Sequence, residues 1–327
     1  MFTKENLPAS IRIFSYSILA LTLVFLINNV LTVWLDWPGI KKLFSQFGLF
    51  GFRSSGTPLA GLSLILGFIQ LSFYFISILL VYFYVRKSIN QTLETDAEIL
   101  TKITGYIIRS SFWAVLILGI VDLIISFMVV EKLIEPIFGE AVKFKLVNPS
   151  FRITFIHFPL VLISFVIGYF TRSVGFIWLA VLVVGSEFAI VLSRFIFNYE
   201  QAFQGDLVRF WYAALYLFAS AYALIHEGHV RVDVLYTGFS EKRKAWINSI
   251  GSLVLGIPLC LIIIFLGMGG KASIINGPAL SFEITQQGSN GLYLLYLMAI
   301  YLAVFAVSML IQFTSYFMSS SHKILNN

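Results

Sequence analysis

The 327 residues are 59% hydrophobic and only 12% charged, with a mean hydropathy of +0.90, against about 25% charged in an ordinary soluble domain. That balance excludes a soluble globular protein and describes an integral membrane protein. The formal charge of +6 comes from basic residues in short clusters between apolar runs, which excludes a nucleic-acid-binding face and reads as membrane orientation.

Crossing about 30 Å of hydrocarbon takes roughly 20 apolar residues in a helix. Eight segments meet or approach that length, near 11–35, 58–84, 103–130, 151–170, 174–197, 207–226, 245–269 and 291–317. The first is too long for the roughly 7 to 15 apolar residues of a signal peptide, and no small-residue cleavage site follows it, so it reads as an uncleaved span. Only Thr171-Arg172-Ser173 separates the fourth and fifth. A tight turn is expected there, favoured by Gly168, Gly175 and Arg172, although one long kinked helix fits the pattern as well.

An even number of spans puts both termini on one side. Placing them in the cytoplasm gives twelve basic residues inside, with eight outside and Arg194 and Arg209 at outer helix ends. The bias rests mainly on the loops 86–102 and 227–244. In this scheme Arg12 counts as a cytoplasmic charge and Arg152 as an outer-loop charge. Aromatic residues gather at the expected borders, for example Trp34 with Trp37 and Trp211 with Tyr212, as rings that prefer headgroup depth do. The longest loops, 36–57, 131–150 and 270–290, are too short for a soluble domain.

Asp122 and Glu187 lie inside apolar spans, where an uncompensated charge costs about 2.5 to 3.5 kcal/mol on insertion scales. One reading makes them a proton or cation path. The other pairs each with a polar group of a neighbouring helix or partner subunit. Glu187 precedes Arg194 by seven residues, two turns away and too far for a direct pair. His157, also inside a span, invites a haem or metal, but His226, His229 and His322 lie near the cytoplasmic border and offer no second imidazole at its depth. It reads as a helix-packing residue. Cys260 is the single cysteine, so an intrachain disulfide and a cysteine metal cluster are both excluded. Phosphate loops, paired-cysteine sites, HExxH and GxSxG elements are absent from the sequence, and no cofactor is expected.

The densest polar cluster is 226–236, His-Glu-Gly-His-Val-Arg-Val-Asp-Val-Leu-Tyr. Extended, it sets His229, Arg231 and Asp233 against Val230, Val232 and Val234. Helical, it brings Glu227 near Arg231 and His229 near Asp233. Either way Arg231 gains an acidic partner, and the valines suggest an ordered, half-buried corner.

Three elements resemble the small membrane subunit of tripartite ATP-independent periplasmic (TRAP) transporters, the DctQ-like family. They are Arg194-Phe195-Ile196-Phe197-Asn198 closing one span, the small-residue helix Trp211 to Leu224, and Gly228-His229-Val230-Arg231-Val232-Asp233-Val234-Leu235. The resemblance covers about 174–320. It implies an all-α polytopic membrane protein with a four-helix DctQ-like domain at 171–327, preceded by an additional membrane module of about four helices at 1–170. It also implies a scaffolding role in the bacterial inner membrane, without catalytic or metal-binding residues. The partners would be a large DctM-like membrane subunit, a DctP-like or related periplasmic binding protein, and membrane lipid, in ion-driven uptake of an organic anion. On this view Arg194, Asn198, His229, Arg231 and Asp233 order the structure or a subunit interface. A self-contained ion-coupled transporter using Asp122 and Glu187, and a membrane redox subunit using His157, His226 and Glu227, are the rival readings.

Overall fold

A computed structural model describes residues 7–52, 58–171, 176–225, 236–284 and 290–326. Every regular element among them is helical. Eight helices are long and apolar enough to cross a membrane: α1 (Leu7–Trp34), α3 (Leu62–Lys87), α4 (Leu93–Val130), α7 (Pro149–Phe170), α8 (Phe176–Phe197), α9 (Ala202–Ile225), α10 (Glu241–Gly267) and α12 (Leu295–Asn326). Short helices α2 (Ile40–Gln46), α5 (Ile134–Phe138), α6 (Glu140–Val147) and α11 (Asn276–Ser281) occupy the connections. α7 ends at Phe170, with Thr171 in extended conformation, and α8 is a separate helix.

Local chemistry sets the boundaries. α4 starts ten residues before the apolar run because Thr92 caps it, its hydroxyl accepting the Thr95 N–H at 3.2 Å, with Glu94 and Asp96 in the positive first turn. α7 starts at Pro149 because the Asn148 side chain accepts the Phe151 N–H at 3.2 Å and proline suits the first helical position.

Two helices contain a wide π turn, Ile153–His157 in α7 and Ser252–Gly256 in α10. Each turn ends two residues before a proline, Pro159 or Pro258. A helical proline lacks the N–H for the carbonyl four residues back and collides with it. Those carbonyls belong to Phe155 and Val254, inside the two π turns.

The chain forms two compact units, Met1–Leu100 with Val232–Lys271 and Phe313–Asn327, and Thr101–Arg231 with Ala272–Gln312. Each draws on both sides of residue 170. In the first, α1 packs on α3 through polar contacts. Gln70 donates to Thr32 Oγ1 at 3.1 Å and accepts the Gly39 N–H at 2.9 Å; Gly39 has φ +76°, open to glycine at little cost. α10 lies against α12 where Gly256 meets the Phe313 ring, leaving no room for a Cβ.

The same unit holds a buried ion pair. Arg12 Nε meets Asp96 Oδ2 at 2.5 Å, and the guanidinium also donates to the Ser88 carbonyl and hydroxyl at 2.6 and 2.8 Å. Arg12, expected to serve as a free cytoplasmic charge, instead ties the start of α1 to the turn between α3 and α4. In the second unit α8 packs on α9, and α9 meets α4 where Trp211 Nε1 donates to the Val115 carbonyl at 3.2 Å, over Gly119.

Candidate functional site

The second unit contains a buried ionic cluster built from α4, α7 and the start of α12. α4 contributes Asp122, 0% exposed, and Ser126; α7 contributes Arg152 and His157, 1% and 0% exposed. In a regular α-helix, residues five apart point about 140° away from each other. The π turn between them closes five residues per hydrogen bond, the Phe158 N–H reaching the Ile153 carbonyl, and brings both side chains to the face that meets Asp122.

Asp122 Oδ1 is shared between Arg152 Nη2 at 2.5 Å and His157 Nε2 at 2.8 Å, while Oδ2 accepts the Tyr293 N–H at 2.7 Å. Arg152 Nη2 also donates to the Asp122 carbonyl at 2.8 Å and Ser126 Oγ at 2.9 Å, and its guanidinium lies 4.4 Å over the Tyr293 ring. Tyr296 meets His157 Nδ1 at 3.0 Å. With Asp122 accepting, Nε2 carries the imidazole proton, so Nδ1 accepts from the Tyr296 hydroxyl. The charges of Asp122 and Arg152 offset one another, and the imidazole extends the network from Asp122 to Tyr296.

Outer contacts fix this cluster in turn. The Ser126 hydroxyl donates to the Gly291 carbonyl at 3.1 Å, the Tyr293 hydroxyl to the Val147 carbonyl at 3.1 Å, and the Leu292 N–H to Asp206 of α9 at 3.1 Å. One carboxylate thereby holds the backbone entering α12 against α4 and α7. Chemically the set resembles an orienting acid and imidazole, yet the hydroxyl within reach is the Tyr296 phenol, a poor nucleophile when protonated. No group of three metal-ligating side chains occurs among the described residues.

Asp122 and His157 thus meet, joined by an arginine that sequence reasoning assigned to an outer loop. The missed signal is Asn148-Pro149, a helix start that draws Arg152 into the first turn of α7. Glu187 lies elsewhere, exposed on α8. Arg194 pairs with Glu200 through Nε at 2.9 Å and through Nη2. Asn198 follows the end of α8 with φ 49°, a left-handed conformation that asparagine tolerates. His229, Arg231 and Asp233 lie outside the described residues.

Residues 183–318 match the model of the family described as "Tripartite ATP-independent periplasmic transporters, DctQ component". This segment belongs to the DctQ family. No curated protein and no solved structure matches the chain significantly. The DctQ segment runs from within α8 to within α12, so it includes Asp206, Tyr293 and Tyr296, whereas Asp122, Arg152 and His157 come from helices that precede it. The family is a component of a tripartite transporter, and the chain that carries this segment has eight described helices long and apolar enough to cross a membrane.

Proposed function

We propose that the chain is the small permease subunit of a TRAP-type secondary transporter, lying in a bacterial inner membrane with both termini cytoplasmic. It braces a large DctM-like membrane subunit, which takes up an organic anion, a carboxylate, delivered by a periplasmic binding protein, with the uptake driven by a coupling ion that moves down its own gradient. The observation that carries this reading is the family match over 183–318, which coincides with four membrane helices and includes the Gly228 to Leu235 signature. In this role His229, Arg231 and Asp233 form a cytoplasmic corner between α9 and α10, Arg194 and Asn198 shape the outer end of α8, and no residue performs catalysis.

The buried cluster supports a bracing role. It is neutral, closed and tied to three backbone segments, properties that favour rigidity over passage of an ion. The test is co-expression of the tagged chain with the large subunit, followed by reconstitution with the binding protein. The expected result is copurification of the two membrane proteins, and gradient-driven uptake only when all three components are present. Uptake by this chain alone, or failure of the large subunit to copurify, would overturn the proposal.

A further inference from the structure

α8 is the least covered of the membrane helices. Leu179, 2% exposed, is its single buried side chain among the described residues. At about 100° per residue, the less exposed positions Leu182, Ser186, Ile190 and Ser193 lie on the face toward α9, whereas Val184, Phe188, Val191 and Phe195 form a stripe on the opposite face. Their spacing of four, three and four is the seam a second helix packs into. Phe188, at the centre, is 61% exposed.

Glu187 lies on the border of that stripe. From Glu187 to either end of the span Trp178–Phe197 is nine or ten residues, about 13 to 15 Å at 1.5 Å per residue, which is the middle of a hydrocarbon layer about 30 Å thick. Glu187 is exposed and makes no hydrogen bond or ion pair among the described residues. The other carboxylate deep within an apolar span among the described residues, Asp122, is buried with a cation, Arg152. A bare carboxylate facing lipid tails is among the costliest placements in a membrane protein, and such groups mark protein-facing or water-facing surfaces. Arg194, two turns further on, is already paired with Glu200.

We propose that the Val184 to Phe195 face of α8 is the docking surface for a transmembrane helix of the large permease subunit, which presents a lysine or arginine to Glu187 at the mid-plane. The identity of the partner rests on the transporter reading above; the location of the surface and the charge it requires rest on α8. Charge and shape divide the work: the stripe packs, while Glu187 fixes depth and register by admitting only a helix with a cation at that level.

The test combines co-expression with a photo-crosslinking benzophenone side chain in place of Phe188 and, as control, in place of Leu255, which is exposed on α10. The expected result is an adduct with the large subunit from position 188 and lipid adducts only from position 255. Glu187→Lys should lower copurification at least tenfold, and Glu187→Gln severalfold. Copurification of the unaltered chain without a protein adduct at 188 would overturn the docking surface while leaving the transporter reading intact. An adduct with a second copy of this chain, or wild-type copurification of Glu187→Gln, would overturn the assigned partner or its cation. Absence of both copurification and adduct would overturn both readings.

Discussion

Replacing Arg152 with methionine tests whether the ionic cluster holds the second unit together. Methionine fills much of the volume but removes a guanidinium nitrogen that meets the Asp122 carboxylate, the Asp122 carbonyl and Ser126 Oγ. Asp122, 0% exposed, then keeps only His157 and the Tyr293 N–H. Removing one partner of a buried pair costs about 3 to 5 kcal/mol, and the two partners that Asp122 keeps set the expected loss near the lower figure. For a domain of 150 to 250 residues each kcal/mol shifts Tm by roughly 2 to 4 °C, so a fall on the order of 10 °C is expected in detergent. The variant Asp122→Asn/Arg152→Met removes both charges and should recover more than half of that loss, because the penalty comes from the orphaned carboxylate. Thermal unfolding of both variants, followed by intrinsic fluorescence, measures this. An Arg152→Met protein as stable as the parent, or a double variant whose cost is the sum of the single costs, would refute the reasoning.

Pro159→Ala restores an N–H that a regular helix would use, and by propensity alone it should stabilise α7 by up to about 3 kcal/mol; because the π turn aligns Arg152 with His157, a lower Tm is expected instead. Gly168→Ala places a Cβ 2.9 Å from Ser110 Cα and 3.0 Å from its backbone nitrogen, which a side-chain rotation cannot relieve. A loss of about 1 to 3 kcal/mol is expected, against none for Gly205→Ala, where a Cβ would meet nothing within 4 Å. In the loop after α8, Tyr199 donates to Glu131 at 2.7 Å, and desolvation, then this bond and the carboxylate charge, push its pKa up to about 12. A raised pKa means its contribution is complete below the ordinary tyrosine value of about 10 and is lost as pH rises through about 12. Tyr199→Phe should flatten alkaline unfolding over that window, and ultraviolet titration of the folded protein should lose one phenolic step near pH 12.

The number and order of the spans were legible because apolar length is a strong one-dimensional signal, and six of the eight expected segments coincide with helices to within about five residues, while α12 runs on to Asn326 past the expected end at 317. The extra ten residues of α4 were not, since Leu93 to Lys102 are polar enough to read as loop until Thr92 is recognised as a cap. Charge was the weaker guide. Counting Arg12 and Arg152 as loop cations treats every arginine near a span end as solvated, yet both are 1% exposed and paired. Asp122 alone signalled that a cation was needed; the residue supplying it depends on a helix-helix contact that spacing does not encode.

The two π turns show how a local rule reaches the site. Pro159 and Pro258 are visible in the sequence as prolines inside apolar spans, where a kink is the usual expectation. In each helix the strain is relieved by an extra residue in the turn before the proline. In α7 that residue converts a five-residue separation from opposed faces into a shared one, and a buried carboxylate thereby gains two partners from one helix. In α10 the same device ends at Gly256, which lies against Phe313 of α12. Asp122, Arg152 and His157 all precede the family segment, yet Asp122 holds the Tyr293 N–H inside it. The amide two residues before α12 therefore has its acceptor on α4, outside the DctQ segment. Separating the segment from those helices would leave that buried donor unmade, at a cost of about 1 to 3 kcal/mol before any loss of packing.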